Sequence, residues 1–446
     1  MLRSLMPWLL NLLYAALLAL LSPVIFWRML RHGRYRRGLT QKLFGRLPSL
    51  PDQQPVAWFH AVSVGEIVQL QKIVDEFRRQ TRDSWTIVVS TSTDTGYDLA
   101  QQRFSGCQLV WFPLDFSWAI QKALDTVRPS LLVLVELELW PGLLLECSRR
   151  QIPVAIVNAR LSERSFRRYL RAKWFLRPVF SSIALVAAQS QPCAARLQHL
   201  GVPAERIHVT GSVKFDGVAC SPRHPPTLLL RTLFQIDPQA PVLMAGSTQA
   251  PEEQWILDAW QQLRRLHPTL QLILVPRHRE RFEEVAALVR NNGLPLLRRS
   301  EISADCAGSH VGHNCVRLLD TIGELTACWG LADIAFVGGS FGSRGGQNMI
   351  EPAAWGAAVT FGPNTWNFRD VVQIFREADA CRQLQSPVEL LPLLQHWLDQ
   401  PLERHRIGNA AAAVVRAQQG ALVSTVRLLQ SICELTVTGT AESRAA

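Results

Sequence analysis

Ala332-Asp-Ile-Ala-Phe-Val-Gly-Gly-Ser-Phe-Gly-Ser-Arg-Gly-Gly-Gln-Asn-Met-Ile-Glu-Pro-Ala-Ala-Trp-Gly356 runs from a short apolar segment through a glycine-rich loop into an acidic turn. A buried strand that opens into such a loop and then a helix is the ligand-binding unit of open α/β folds. Gly338, Gly339, Gly342, Gly345 and Gly346 let the backbone approach an anion closely and adopt positive φ where needed. The amides at the next helix start, near Met349 to Glu351, add partial positive charge. A carboxylate at Glu351 would repel a phosphate set directly against it, so it is better suited to accept hydrogen bonds from ribose hydroxyls slightly farther away. The pattern reads as nucleotide-sugar binding, although a glycine-rich loop after a strand is by itself equally an ordinary tight turn.

Working outward, the same alternation recurs along the chain. Val56 to His60, Thr86 to Ser90, Gln108 to Phe112, Leu131 to Glu136, Val154 to Asn158 and Ile183 to Ala188 are continuous apolar runs, as expected of parallel strands buried on both faces. Gly65 to Thr81 and Ser117 to Val127 supply crossover helices. After the proline-rich Cys220-Ser-Pro-Arg-His-Pro-Pro226 the pattern restarts, with strands at Val242 to Gly246, Gln271 to Pro276, Val316 to Leu319, Ile334 to Gly338 and Ala358 to Phe361. The expectation is an α/β chain of two Rossmann-like domains: 51–220, a linker at 221–226, and 227–446, whose last helices could also cross back to brace the first domain.

Ahead of them stand residues 1–50. Met6 to Trp27 is apolar and long enough to reach across a bilayer core. Arg3, Arg28, Arg31, Arg34, Arg36, Arg37, Lys42 and Arg46 precede the first acid, Asp52, so most of the net charge of +11 lies here. That distribution argues against nucleic-acid binding, which would place basic residues on an aromatic-rich soluble module. It suits an N-terminal membrane anchor helix with its basic flank against anionic head groups and the catalytic body on the cytoplasmic side. Pro7, Asn11 and Pro23 weaken a clean span, so a helix dipping into one leaflet is the alternative. Nine cysteines, scattered and without a C-x-x-C pair, fit a reducing compartment and suggest neither structural zinc nor a disulfide framework.

Eight motifs occur in order: His60-Ala-Val-Ser-Val-Gly-Glu66, Glu136-Leu-Glu-Leu-Trp-Pro141, Asn158-Ala-Arg-Leu-Ser162, Thr210-Gly-Ser-Val-Lys-Phe-Asp216, Pro276-Arg-His278, Asp320-Thr-Ile-Gly-Glu324, the glycine-rich loop, and Gly362-Pro-Asn-Thr-Trp-Asn-Phe368. Together, from about residue 5 to about residue 380, they resemble the family that transfers 3-deoxy-D-manno-oct-2-ulosonic acid (Kdo) from CMP-Kdo to a lipid A precursor. The resemblance implies a GT-B glycosyltransferase, two Rossmann-like domains facing across a cleft, at the cytoplasmic face of the inner membrane in lipopolysaccharide synthesis. It implies an inverting reaction; no Asp-x-Asp metal signature stands in a convincing position, so neither a metal nor a cofactor is expected. Two other functions are consistent with the residues: a GT-B enzyme using another nucleotide sugar or glycolipid acceptor, and a non-catalytic membrane-bound protein that keeps nucleotide binding.

Glu66 follows the first strand, at the carboxyl end of the sheet where open α/β folds bind ligands. An acid there commonly just complements a helix dipole; the family motif makes it the general base. Glu136 and Glu138 are expected on one side of a strand, where two close carboxylates would raise one pKa. Glu136 is read as stabilising or positioning the reacting groups, and Glu138 equally as an ion-pair partner of Arg160. Lys214 could offset donor or leaving-group charge, or be a surface lysine beside Asp216. The resemblance puts Arg277 and His278 at the CMP site, with Thr321, Gly323, Glu324, Gly339, Gly346, Gln347, Asn348 and Glu351 completing the nucleotide pocket. Leu137, Gly142, Ser212, Gln249 and Gln347 depart from the family pattern. Gln347 stands in the donor loop, where it can donate a hydrogen bond but carry no proton charge.

Overall fold

A computed structural model describes residues 2–32, 36–50, 54–218, 221, 223–302 and 312–445. Arg34 of the basic cluster, Pro222 of the linker, the boundary at residue 51, Cys220 and Cys306 lie outside the described residues. The chain divides into two compact units, Met1–Asp216 with Gln419–Ala446, and Gly217–Gln418.

The first unit is built on seven strands: β1 (Val56–His60), β2 (Thr86–Thr91), β3 (Gln108–Trp111), β4 (Leu131–Val135), β5 (Val154–Ala159), β6 (Leu185–Ala188) and β7 (Ile207–Val209). All pairings are parallel, in the order β3-β2-β1-β4-β5-β6-β7. The continuous apolar runs have a direct cause. Ala57, Phe59, Val89, Val133 and Val157 enter one apolar layer, while Trp58, Val88, Val110, Leu132 and Leu134 enter the layer on the opposite face. Both faces are covered by helices, so a polar residue at either parity would be stranded.

The second unit repeats the plan with β8 (Val242–Thr248), β9 (Gln271–Pro276), β10 (Leu296–Arg298), β11 (Val316–Leu318), β12 (Ile334–Val337), β13 (Ala358–Phe361) and β14 (Arg382–Gln383). Its order is β10-β11-β9-β8-β12-β13-β14, again parallel. Strand order reverses between β1 and β4 in the first sheet and between β8 and β12 in the second, and the loops beyond those strand ends are where such folds take ligands. The strands β7, β10 and β14, two or three residues each and only partly buried or exposed, were not legible as apolar runs.

The last helix, Ala421–Ala445, belongs to the first unit and not to a domain spanning 227–446, which is the crossing-back that the sequence left open. Ala421, Val426, Leu429 and Cys433 share an apolar layer with Ile67, Leu70, Ile73, Val74 and Phe77 of the helix Val64–Thr81, in the first unit. Asp216 fixes its start: the carboxylate accepts from the amides of Gly420 and Leu422, both at 2.7 Å.

The chain begins with the helix Leu2–His32. No helix among the described residues is long and apolar enough to cross a membrane. Leu10 is buried, yet Trp8 is 74% and Leu20 75% exposed, and Leu9, Leu12, Leu13, Leu17, Leu21 and Trp27 also lie open. Its polar Asn11 and Tyr14 turn inward instead, bonding Ser117 and Asp115. This is the reverse of an amphipathic helix that faces water.

Candidate active site

In the first unit the loops after β1 and β4 flank the strand-order reversal, and both carry acids. Glu66 occupies the third position of the helix Val64–Thr81, whose N-cap is Ser63. Its Oε2 accepts from the Val62 amide at 2.9 Å and its Oε1 from the Ser63 hydroxyl at 2.6 Å, while the Ser63 oxygen accepts from the Glu66 amide at 3.3 Å. This is a capping box, with Glu reaching back one residue beyond the cap. The helix-start role thereby also fixes the orientation of one buried carboxylate, which keeps lone pairs for a further donor.

Glu136 corrects one expectation. β4 ends at Val135, and Glu136 has φ 60, a left-handed conformation costly for a residue with a Cβ. Its amide donates to Val157 O at 2.9 Å, which holds it there. Glu136 and Glu138 thus do not share a face by strand alternation. They remain in electrostatic contact: burial pushes Glu138 up to about 7, and the charges of Glu66 and Glu136 add to the rise. One carboxylate from a helix start and two from a loop thus form one acidic group. Asn158, also left-handed at φ 52 and fully buried, ties the loop at Val213 to the helix Val64–Thr81: its Oδ1 accepts from Val213 N at 3.2 Å, and its Nδ2 donates to Gln69. Lys214 follows directly, half-buried, its amide 3.4 Å from Ser212 Oγ.

In the second unit the glycine-rich loop leaves β12 beside the end of β8. Its first amides, Gly339 to Phe341, do not point at open space. Glu252, 2% exposed, accepts from Gly339 N at 2.8 Å, Ser340 N at 3.1 Å, Phe341 N at 3.3 Å and Gln249 N at 3.0 Å. A protein carboxylate fills the anion nest that the loop was expected to offer a phosphate. Gly338 is required by this arrangement, because a Cβ there would lie 2.7 Å from Glu252 Oε2 and 2.5 Å from Thr248 Cα. The helix after the loop, Ile350–Ala354, has only five residues, so its macrodipole adds little.

What gathers around the loop is a set of side-chain donors. Above Gly339, which has φ 65, a Cβ would meet Gln347 Nε2 at 3.2 Å and Gln249 Nε2 at 3.3 Å. Arg277 Nε donates to Gln347 Oε1 at 3.1 Å, leaving the rest of an exposed guanidinium beside the amide. The Gln249 Nε2 is buried with no hydrogen-bond partner. Glu351 accepts from Asn348 Nδ2 at 2.8 Å and Thr326 Oγ1 at 3.0 Å, and Asn348 Oδ1 in turn accepts from Ile350 N. Glu324 is held by Arg299 at 3.0 Å and by the Thr321 hydroxyl, with Gly323 at φ 95 making the turn between them. His278 begins the turn Arg279–Arg281. The neighbouring Asp320 is buried on Arg298 and Ser300. The sequence reading singled out Gln249 only as a departure from the family pattern and missed Glu252 and Thr326. The signal for Glu252 was the pair of acids right after a strand end, at Gln249-Ala-Pro-Glu-Glu253. Among the described residues no group of three or more His, Cys, Asp or Glu could hold a metal ion.

Residues 35–217 match the family model described as 3-deoxy-D-manno-octulosonic-acid transferase. The 3-deoxy-D-manno-octulosonic acid transferase of Haemophilus influenzae is 33% identical across 95% of this chain and 99% of its own. That of Bordetella pertussis is also 33% identical, across 94% and 98%. Among solved structures, a glycosyltransferase from Rickettsia africae covers 86% of this chain and 99% of its own, at TM-score 0.53 and 12% identity, a likeness of fold alone. Near-complete coverage at one-third identity, on a pair of doubly wound parallel sheets with polar side chains gathered at each reversal point, assigns the chain to the 3-deoxy-D-manno-octulosonic acid transferase family of glycosyltransferases.

Proposed function

We propose that the enzyme moves Kdo from CMP-Kdo to a lipid A precursor, inverting the configuration at the anomeric carbon. The observation that carries this reading is the Glu66 carboxylate, held by Val62 N and Ser63 Oγ beside two further acids at the first sheet's reversal point. Glu66 takes the proton of an acceptor sugar hydroxyl as that oxygen attacks the anomeric carbon. The bond from that carbon to the CMP phosphate breaks on the opposite face, and CMP leaves with the electron pair. Removing the proton in the transition state supports a rate gain of about 10²–10⁴-fold. Glu136 stabilises positive charge developing on the sugar ring, and Lys214 offsets charge on the donor carboxylate or departing phosphate.

The donor is held in the second unit. Arg277, Gln347 and His278 meet the phosphate, with Gly339 and Gly346 giving close backbone approach. Asn348 and Glu351 take the ribose hydroxyls, and Thr321, Gly323 and Glu324 border the base. The uncovered apolar side of Leu2–His32, followed by Arg36, Arg37, Lys42 and Arg46, supports membrane attachment at the cytoplasmic face of the inner membrane, with the helix lying in one leaflet. Transfer of radiolabelled Kdo, made as CMP-Kdo in the same tube, to a tetraacylated lipid A precursor tests the reading. Label in lipid with the parent and none with Glu66→Gln supports it; label in neither, with CMP still bound, overturns it.

A further inference from the structure

The inward-facing polar residues of Leu2–His32 do more than fasten a helix. Tyr14 donates its hydroxyl proton to Asp115 Oδ2 at 2.8 Å. The same carboxylate accepts from Gly142 N (Oδ2, 2.8 Å) and Leu143 N (Oδ1, 2.8 Å), the first amides of the helix Pro141–Arg149. Asp115 is 5% exposed, and a Cβ on Gly142 would lie 2.9 Å from its Oδ1. Asn11 makes a second tie, accepting from Ser117 N at 2.9 Å and donating to Ser117 Oγ at 2.8 Å. Tyr14 also meets Phe116 edge-on, ring centres 6.1 Å apart. The loop immediately before Pro141 is the one that carries Glu136 and Glu138. Next to these ties a cavity of about 470 Å³, lined by Leu10, Asn11, Ser117, Gly142 and Arg149 among others, leaves the helix start room to shift.

We propose that Asp115 and Tyr14 are positioning residues for the glycolipid acceptor: the seating of the N-terminal apolar helix on the first unit sets, through the Tyr14–Asp115–Gly142 chain, where the Glu136 to Trp140 loop stands. This rests on the proposed function, in which that loop meets the acceptor. A buried carboxylate with three donors has one satisfied geometry. Withdrawing the Tyr14 hydroxyl leaves a desolvated oxygen short of a partner and lets the carboxylate and the helix start it caps move together. An apolar helix that settles into a lipid surface is thereby coupled to the reacting loop, so the enzyme's acceptor side is ordered where its acceptor is found.

Tyr14→Phe keeps the ring contact and removes only the hydroxyl; Gly142→Ala presses on Asp115 from the other side and leaves every polar group in place. With full-length protein on anionic vesicles carrying the lipid acceptor, each is expected to lower kcat/KM for the acceptor about tenfold, a fraction of the roughly 10²-fold that a 1 Å misplacement of a reacting group costs. KM for CMP-Kdo should stay unchanged, which a general loss of fold would not produce. Hydrogen exchange at Gly142 and Leu143 should rise in Tyr14→Phe, and this readout needs no substrate. Unchanged exchange, unchanged acceptor kinetics in folded Tyr14→Phe, or an equal loss on the donor side overturns the proposal. If the parent transfers no Kdo, the proposed function fails, and the exchange measurement alone decides the linkage. Should Gly142→Ala fail to fold, Tyr14→Phe carries the test.

Discussion

Glu252 Oε2 lies 2.8 Å from the amide nitrogen of Gly339, at the first bend of the glycine-rich loop. The loop is therefore shaped from inside, by a carboxylate at the start of the helix Glu252–Leu263, before any ligand arrives. Burial raises the Glu252 pKa while four amide donors pull it down, so the loop's geometry and the ionised state of one side chain depend on each other.

Replacing Glu252 by Gln should break that dependence. Glutamine offers one oxygen where two serve four amides, and its NH₂ would face backbone donors. We expect a stability loss of about 2–3 kcal/mol and at least tenfold weaker CMP binding. Thermal unfolding with calorimetric CMP titration checks this; unchanged binding in the folded variant would separate loop order from nucleotide affinity.

Glu66→Gln should lower kcat by about 10²–10⁴-fold while CMP binding stays the same. Ser63→Ala removes both the cap and the hydroxyl that orients Glu66, so about 1 kcal/mol of stability should go with a smaller fall in kcat. Steady-state transfer rates beside unfolding curves distinguish the two effects.

Glu138 gives a pH prediction. Its folded-state pKa, about 7, exceeds its ordinary value of 4.5, so over that interval the folded chain holds more protons than the unfolded one. Stability from this group is complete below pH 4.5 and is lost as pH rises through 7. Glu138→Gln should flatten that decline and gain roughly 1 kcal/mol at pH 8, after allowing for partial exposure. Denaturant unfolding of both proteins at pH 5 and pH 8 measures it; equal slopes with pH would remove Glu138 from the acidic group.

Gln347→Ala releases Arg277, which is exposed and braced by this amide. Donor KM should rise about tenfold or more, the scale of one hydrogen bond to a charged group, with kcat and thermal midpoint unchanged. Donor saturation curves at fixed acceptor decide it; a fall in kcat instead would move Gln347 from binding to chemistry.

Most of the sheet architecture was legible because two-faced burial writes itself as uninterrupted apolar runs: Leu131 to Val135 and Val154 to Val157 could be little else. The acids after β1 and β4 and the glycines after β12 were legible for the same reason, since strand ends locate the ligand edge. Harder to see were the choices made by partners distant in sequence. Nothing local to Glu136 calls for a left-handed backbone; the Val157 carbonyl across the sheet does. Nothing in Ser386 to Leu435 says which unit its last helix joins; the Asp216 carboxylate and the apolar side of Val64–Thr81 do.

By itself the sequence determined the long buried strands, the loops beyond their ends, the family and the apolar N-terminal helix, because periodicity, glycine placement and motif order are properties of neighbours along the chain. Only the tertiary structure decided that Glu252 fills the loop's amides, that Glu138 shares the field of Glu66 and Glu136, and that Tyr14 ties that helix to Gly142 through Asp115. Those outcomes depend on burial and on hydrogen-bond partners up to a hundred residues apart, quantities that exist only once the chain has closed on itself.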